Sequence, residues 1–165
     1  ATDDPSRLAH HAEAAGDASA VLEHAPEAAR RAVAVSARRE AVAQYARALR
    51  FADALPPRER AALLEAYADE CGRTDDQAEA VRARERALDI WRALGERLHE
   101  ARSLLKLSSE VMRVGRSAES DETSLEARRI LDALPYPLER ARAYLHEGNV
   151  RMLERDNAAA VAWCR

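Results

Sequence analysis

The sequence predicts an all-α chain of tandem helix hairpins, an α-solenoid that repeats about every 40 residues. Three observations carry that reading. Small residues recur at one spacing, since Ala41, Ala80, Ser120 and Ala160 stand 39, 40 and 40 residues apart. Two further columns keep the same phase: Ala48, Ala87 and Ala127 lie seven residues on, and Leu55, Leu94 and Leu134 lie fourteen on. Each member of the last column precedes a helix breaker, namely Pro56-Pro57, Gly95 and Pro135-Tyr136-Pro137. No alternation of β-branched residues with period two occurs, so strands are not expected. One helix hairpin cannot bury its apolar stripe alone, so neighbouring hairpins must stack. An ordinary helical bundle has periodicity within its helices too; the register across four units favours the repeat.

The elements follow in order. Residues 5–15 and 18–37 read as two leading helices, with Gly16-Asp17 as their turn and Asp17 as a cap. Two further columns lie sixteen and twelve residues before the anchors, so that from residue 58 on each first helix carries a large apolar residue and a small one a turn later. These are the columns Ala25, Leu64, Leu104, Tyr144 and Ala29, Ala68, Ser108, Gly148. First helices are expected at 59–72, 98–114 and 138–153, and second helices at 40–54, 77–94, 117–134 and from 157 on. Polar corners separate them: Gly72 to Asp76, Gly115-Arg116-Ser117 and Arg155-Asp156-Asn157. Small residues, among them Ala78, Ala118 and Ala158, fall on one stripe of each second helix and let backbones approach closely. The expected organisation is a single repeat domain over 1–165, with a leading helix at 5–15 and units at 18–55, 58–94, 98–134 and 138–165. The last unit is incomplete, which reads as a fragment of a longer protein.

Composition narrows the class. Hydrophobic residues make up 47% and charged residues 33% of the 165, a balance that suits a folded soluble chain rather than a disordered one. The net charge is −3 with both signs interspersed, so the basic excess of a nucleic-acid binder is missing. Lys106 is the single lysine; every other basic residue is arginine, which suits bidentate ion pairs. Cys71 and Cys164 lack a metal or redox spacing, and each is expected as a buried free thiol. No signal-peptide pattern and no run of about 18 apolar residues occurs, so a cytoplasmic location is expected and no membrane partner.

Nothing looks catalytic. His10 and His11 are adjacent on a helix, point about 100° apart and suit no shared metal; they read as solvated or capping groups. His24, His99 and His146 are isolated in sequence. Asp75-Asp76 sits in a corner, where turn chemistry accounts for it. The mixed charges Glu79, Arg82, Arg84, Glu85, Arg86 and Asp89 read as a solvated helix face. Trp91 and Trp163 read as packing residues, and no catalytic triad suggests itself. No cofactor or metal site is expected.

Specific wording adds a family resemblance. The stretches Arg7 to Asp17, Ala28 to Ala32 and Arg39 to Leu49 continue through Leu55-Pro56-Pro57, Arg84 to Leu88, and Asp156 to Trp163. Together they resemble the tetratricopeptide-like region of large LuxR-type, ATP-binding transcriptional regulators, the MalT-like group, over essentially the whole chain. The resemblance implies a right-handed tetratricopeptide-like solenoid between an ATPase and a helix-turn-helix. Neither flanking module is visible: the sole lysine lies in Leu105-Lys106-Leu107, far from any Gly-rich phosphate loop. Departures gather at Ser117 to Arg129, where Ser120, Thr123 and Ser124 replace alanines.

In such stacks the first helices line the concave surface. Counting back from the anchors places Arg102, Lys106, Ser109 and Arg113 there from the third unit, and Arg142, His146 and Asn149 from the fourth. Arg102 and Arg142 share a repeat position and should stand side by side, as a basic groove able to clamp a carboxylate. The plainer reading is a polar face neutralised by Glu110, Glu139 and Glu147. The resulting expectation is a non-catalytic interaction and signal-coupling module of a regulator, binding a protein, a peptide or a small inducer and no nucleic acid directly. The alternative is a stand-alone adaptor for one peptide or protein, with an enzyme as the remaining class.

Overall fold

The computed structural model describes residues 4–153, apart from the side chains of Glu147, Val150, Arg151 and Leu153. The helix expected from 157, with Ala160, Trp163 and Cys164, lies outside the described residues, as do Asn157 and Ala158. Among the described residues there is no strand. The chain divides into two compact units, Ala1–Ile90 and Trp91–Arg165.

The first unit holds α1 (Pro5–Ala14), α2 (Ala18–Ala34), α3 (Arg38–Leu49), α4 (Pro57–Cys71) and most of α5 (Gln77–Leu94). Local chemistry sets their starts. Asp4 accepts from the Ser6 amide at 3.1 Å, and Asp17 caps α2 by accepting from the Ala20 amide at 3.0 Å. Pro5 and Pro57 occupy first turns, where a missing N–H removes no helix bond. The α2–α3 turn needs a left-handed residue, and Ser36 supplies it at φ 60°. That turn stops α2 at Ala34, three residues short of the end the sequence suggests. Likewise α3 ends at Leu49, and a 3₁₀ turn over Ala52–Ala54 replaces the continuation to residue 54.

Alanine dominates the core of this unit. Ala9, Ala12, Val21, Ala25, Ala29, Tyr45, Ala48, Ala52 and Leu63 form one buried cluster. Leu64 and Ala68 of α4 meet Ala83 and Ala87 of α5 in a second. The anchor columns are thus interior, with Ala41, Ala80, Ala48 and Ala87 fully buried. The column two residues before the anchors is not: Ala78 and Ala118 are exposed. Two residues along a helix turn the side chain through about 200°, so the two columns lie on opposite faces.

One expectation is corrected here. Arg84 does not lie on a solvated face but is 0% exposed. It stands four residues after its anchor, in the same repeat position as the buried Tyr45 and Ser124. There its guanidinium meets the Asp69 carboxylate, with Glu65 at 3.9 Å, both on α4. Of the other charges on α5, Arg82, Arg86 and Asp89 are exposed, while Glu79 and Glu85 are half-buried. Cys71 is buried and in no disulfide.

The second unit contains the end of α5, then α6 (Arg97–Arg113), α7 (Ser117–Asp132) and α8 (Pro137–Leu153). Helix α6 packs along α7, α7 on α8, and α6 also touches α8. Leu104, Leu107, Val111, Ala127, Ile130, Leu131 and Ala143 are buried. Trp91 is buried and stacks on His99, with ring centroids 4.4 Å apart and planes 25° from parallel. The residues that break the alanine wording, Ser120, Thr123 and Ser124, are all interior. Thr123 returns its hydroxyl to the Glu119 carbonyl at 2.6 Å, whereas the Ser120 and Ser124 hydroxyls are buried without a protein partner.

Candidate functional site

Helices α6 and α8 begin 40 residues apart, and the bonds between them join residues 37 and 38 apart. Arg102 and Arg142 stand together as the repeat requires. Their guanidiniums converge on a single oxygen, Oε1 of Glu139, at 2.8 and 2.9 Å. The hydrogen bond from Arg102 outweighs the opposing effect of burial and, with the charge of Arg102 and the lesser charge and hydrogen bond of Arg142, holds the Glu139 carboxyl below its usual range. Both arginines remain open to water, so the pairs contribute little to stability.

The other expected residues separate into three groups. His146 turns toward α6, its Nε2 2.6 Å from the Ser108 hydroxyl. That hydroxyl also lies 3.0 Å from the Leu105 carbonyl, which accepts from it. Ser109, beside Ser108, is half-buried, whereas Lys106, Arg113 and Asn149 are exposed. The acids differ as well: Glu139 is the junction itself, and Glu110 is buried.

Sequence reasoning missed a cleft in the first unit. The α2–α3 turn and the α4–α5 corner enclose about 520 Å³, lined by Ser36, Arg38, Arg39, Arg73 and Asp75 among others. Two of its lining residues are tied by Glu70, a buried carboxylate that accepts from Arg38 at 3.0 Å and Arg73 at 2.6 Å. In the second unit Glu100 is buried between Arg92 at 3.3 Å and Arg97 at 2.7 Å. One carboxylate between two arginines recurs at Glu70, Glu100 and Glu139 because a forked donor can share an acceptor with a second fork. Among the described residues no group of three His, Cys, Asp or Glu is placed to hold a metal ion.

Paired helices in this register define the tetratricopeptide-like repeat fold. The chain is similar to a Podospora anserina putative kinesin light chain with nearly identical TPR-like repeats, at TM-score 0.76 and 18% identity over 99% of this chain and 93% of that one. It also resembles BtubC (BKLC) from P. vanneervenii, at TM-score 0.72 and 20% identity over 96% of this chain and 67% of that one. MamA aligns at TM-score 0.63 and 14% identity, covering 95% of this chain and 90% of MamA. At these identities the likeness is one of fold. No protein-family model and no curated protein matches the chain. Among the described residues no helix is long and apolar enough to cross a membrane.

Proposed function

We propose that the chain is a non-catalytic interaction and signal-coupling repeat module, and that the α6–α8 face receives a carboxylate-bearing partner such as an acidic peptide or an inducer. The observation that carries this reading is the meeting of Arg102 and Arg142 on one oxygen of Glu139. A ligand carboxylate would compete for two guanidiniums that already hold a carboxylate in place, with Lys106 and Arg113 exposed on the same helix. Charge-assisted bidentate pairing is the strong form of such a contact. Displacement of Glu139 would break its tie from α8 to Arg102 of α6, and a partner with different affinities for the two arrangements would shift their populations. The likeness of its wording to LuxR-type regulators supports a place between an ATPase and a DNA-reading module; a stand-alone adaptor would use the same face.

Binding of a labelled acidic peptide, followed by anisotropy, tests the reading. Several contacts desolvated together give about micromolar affinity, near −8 kcal/mol, which weakens as salt rises. Arg142→Glu should abolish binding with helicity unchanged, and Arg86→Glu, on an exposed face of α5, should leave it intact. Equal losses in both variants would show a response to net charge alone and remove the site. Joining the chain to its genomic neighbours then separates regulator from adaptor: an adjoining ATPase and helix-turn-helix in one reading frame supports the regulator.

A further inference from the structure

The cleft between the α2–α3 turn and the α4–α5 corner gathers three arginines, Arg38, Arg39 and Arg73. Buried Glu70 fixes two of them, one carboxylate oxygen accepting from Arg38 and the other from Arg73. Each bond occupies one N–H of a forked donor, and 39% of the Arg38 side chain and 53% of the Arg73 side chain remain exposed. Arg39 is exposed and makes no ion pair among the described residues. The nearby acids are engaged elsewhere or stand apart. Glu40 accepts from Ser6 and Gln44, Asp76 accepts from the Glu79 amide, and Asp75 forms no ion pair among the described residues. At the Glu100 junction, by contrast, Arg92 is shared with a second acid, Glu126. The turn beside the cleft is also unusual. Gly16, Gly95 and Gly115 supply the left-handed residue at three other helix–helix turns, whereas Ser36 does so here at φ 60°. A side chain in that conformation is strained, and Ser36 brings to the cleft wall a hydroxyl that glycine lacks.

We infer that this cleft is a binding site for a phosphate monoester. Near neutral pH such a group carries close to two negative charges and three strong acceptor oxygens. Three arginine forks match it better than they match a carboxylate, which has one charge and two oxygens. Glu70 holds Arg38 and Arg73 in place from the buried side, as the partner of a ligand-binding group does in a preorganised site. The volume of about 520 Å³ exceeds what a phosphoryl group fills, so the molecule that carries the group enters with it. Two sources share this chemistry: a phosphorylated side chain of a partner, and a free phosphorylated small molecule. An account in which the arginines only neutralise Glu70 leaves Arg39 and the strain at Ser36 without a reason. The cleft lies wholly within the first unit and the α6–α8 face within the second, so each reading can fail without the other.

The probe is a fluorescein-labelled glycine–serine peptide with one phosphoserine, titrated with the full 165-residue chain beside its unphosphorylated and glutamate-bearing twins. The phosphoserine peptide should bind at least tenfold more tightly than either twin. Its affinity should rise between about pH 5 and about pH 7, as the second phosphate proton, with a pKa of about 6, is lost. Arg39→Gln and Arg73→Gln should each weaken it at least tenfold while the far-UV spectrum stays unchanged. Because Arg39 ties no acid among the described residues, its variant keeps the readout clear of folding. Arg86→Gln, on an exposed face of α5, should leave the affinity where it was. Inorganic phosphate as competitor separates the two sources. Displacement that needs at least tenfold more phosphate than peptide assigns the cleft to a phosphorylated partner; displacement at equal concentrations assigns it to a free phosphorylated molecule. Equal binding of the phosphorylated and unphosphorylated peptides would overturn the proposal. So would an affinity indifferent to Arg39→Gln, or one lost equally in Arg86→Gln. Arg142→Glu should leave the phosphopeptide bound even where it abolishes binding of the acidic peptide.

Discussion

The guanidinium of Arg84 on α5 is enclosed against the carboxylate of Asp69 on α4, so the hairpin that builds the first unit is closed by a buried ion pair. Leu64, Ala68, Ala83 and Ala87 pack the same two helices against each other. An arginine in that position has no water to fall back on, whereas Asp69 and Glu65 keep about a quarter of their side chains exposed. The energetic weight therefore rests on the arginine and its packing as much as on charge.

Arg84→Ala should cost about 3 kcal/mol of unfolding free energy, because it removes both the pair and the buried stem. Arg84→Met keeps the stem volume and leaves two carboxylates that water can reach, so its loss should be less than half as large. Urea denaturation of the three chains measures this; equal losses for Ala and Met would show that the charge pair alone matters.

Ala68 is fully buried where α4 crosses α5. Ala68→Leu should lose about 1–3 kcal/mol through overpacking. Ala78→Leu, on the exposed column of α5, should change stability by less than about 0.5 kcal/mol. Thermal denaturation of the pair checks the register, and a reversal of the order would mean the small columns had been assigned to the wrong faces.

Trp91 and His99 stack in the second unit, and the ring contact contributes about 1 kcal/mol beyond area burial. In a Trp163→Phe background, His99→Ala should shift the Trp91 emission to longer wavelength and lower the unfolding midpoint. Emission that stays where it was would mean other groups alone shield the indole.

The Glu139 carboxyl titrates below its usual range because Arg102 and Arg142 stabilise its charged form. A carboxylate whose folded pKa is depressed adds stability at pH above the unfolded value. That contribution fades as pH falls from about 4, the ordinary glutamate value, through the lower folded one. Carbon NMR of the Glu139 carboxyl should find its midpoint below that of a model glutamate, and Arg102→Ala should raise it. A midpoint indifferent to Arg102→Ala would remove the junction.

The amino-acid order by itself determined that the chain is helical, that its period is about 40 residues, and where most helices begin and end. Repeat spacing, Gly and Pro breakers and Asp caps act within a few residues of chain, and Asp17 and Gly115 work where they stand. The same register placed Arg102 beside Arg142, because equal positions in stacked repeats must be neighbours. Only the tertiary structure decided which charges are interior. Arg84, Glu70 and Glu100 look in sequence like any exposed residue of a mixed-charge helix, yet each is buried against partners on another element or across a corner. A periodic sequence gives equivalent residues the same face of the same kind of helix; what occupies the space beyond that face is a property of neighbours, and burial follows from them.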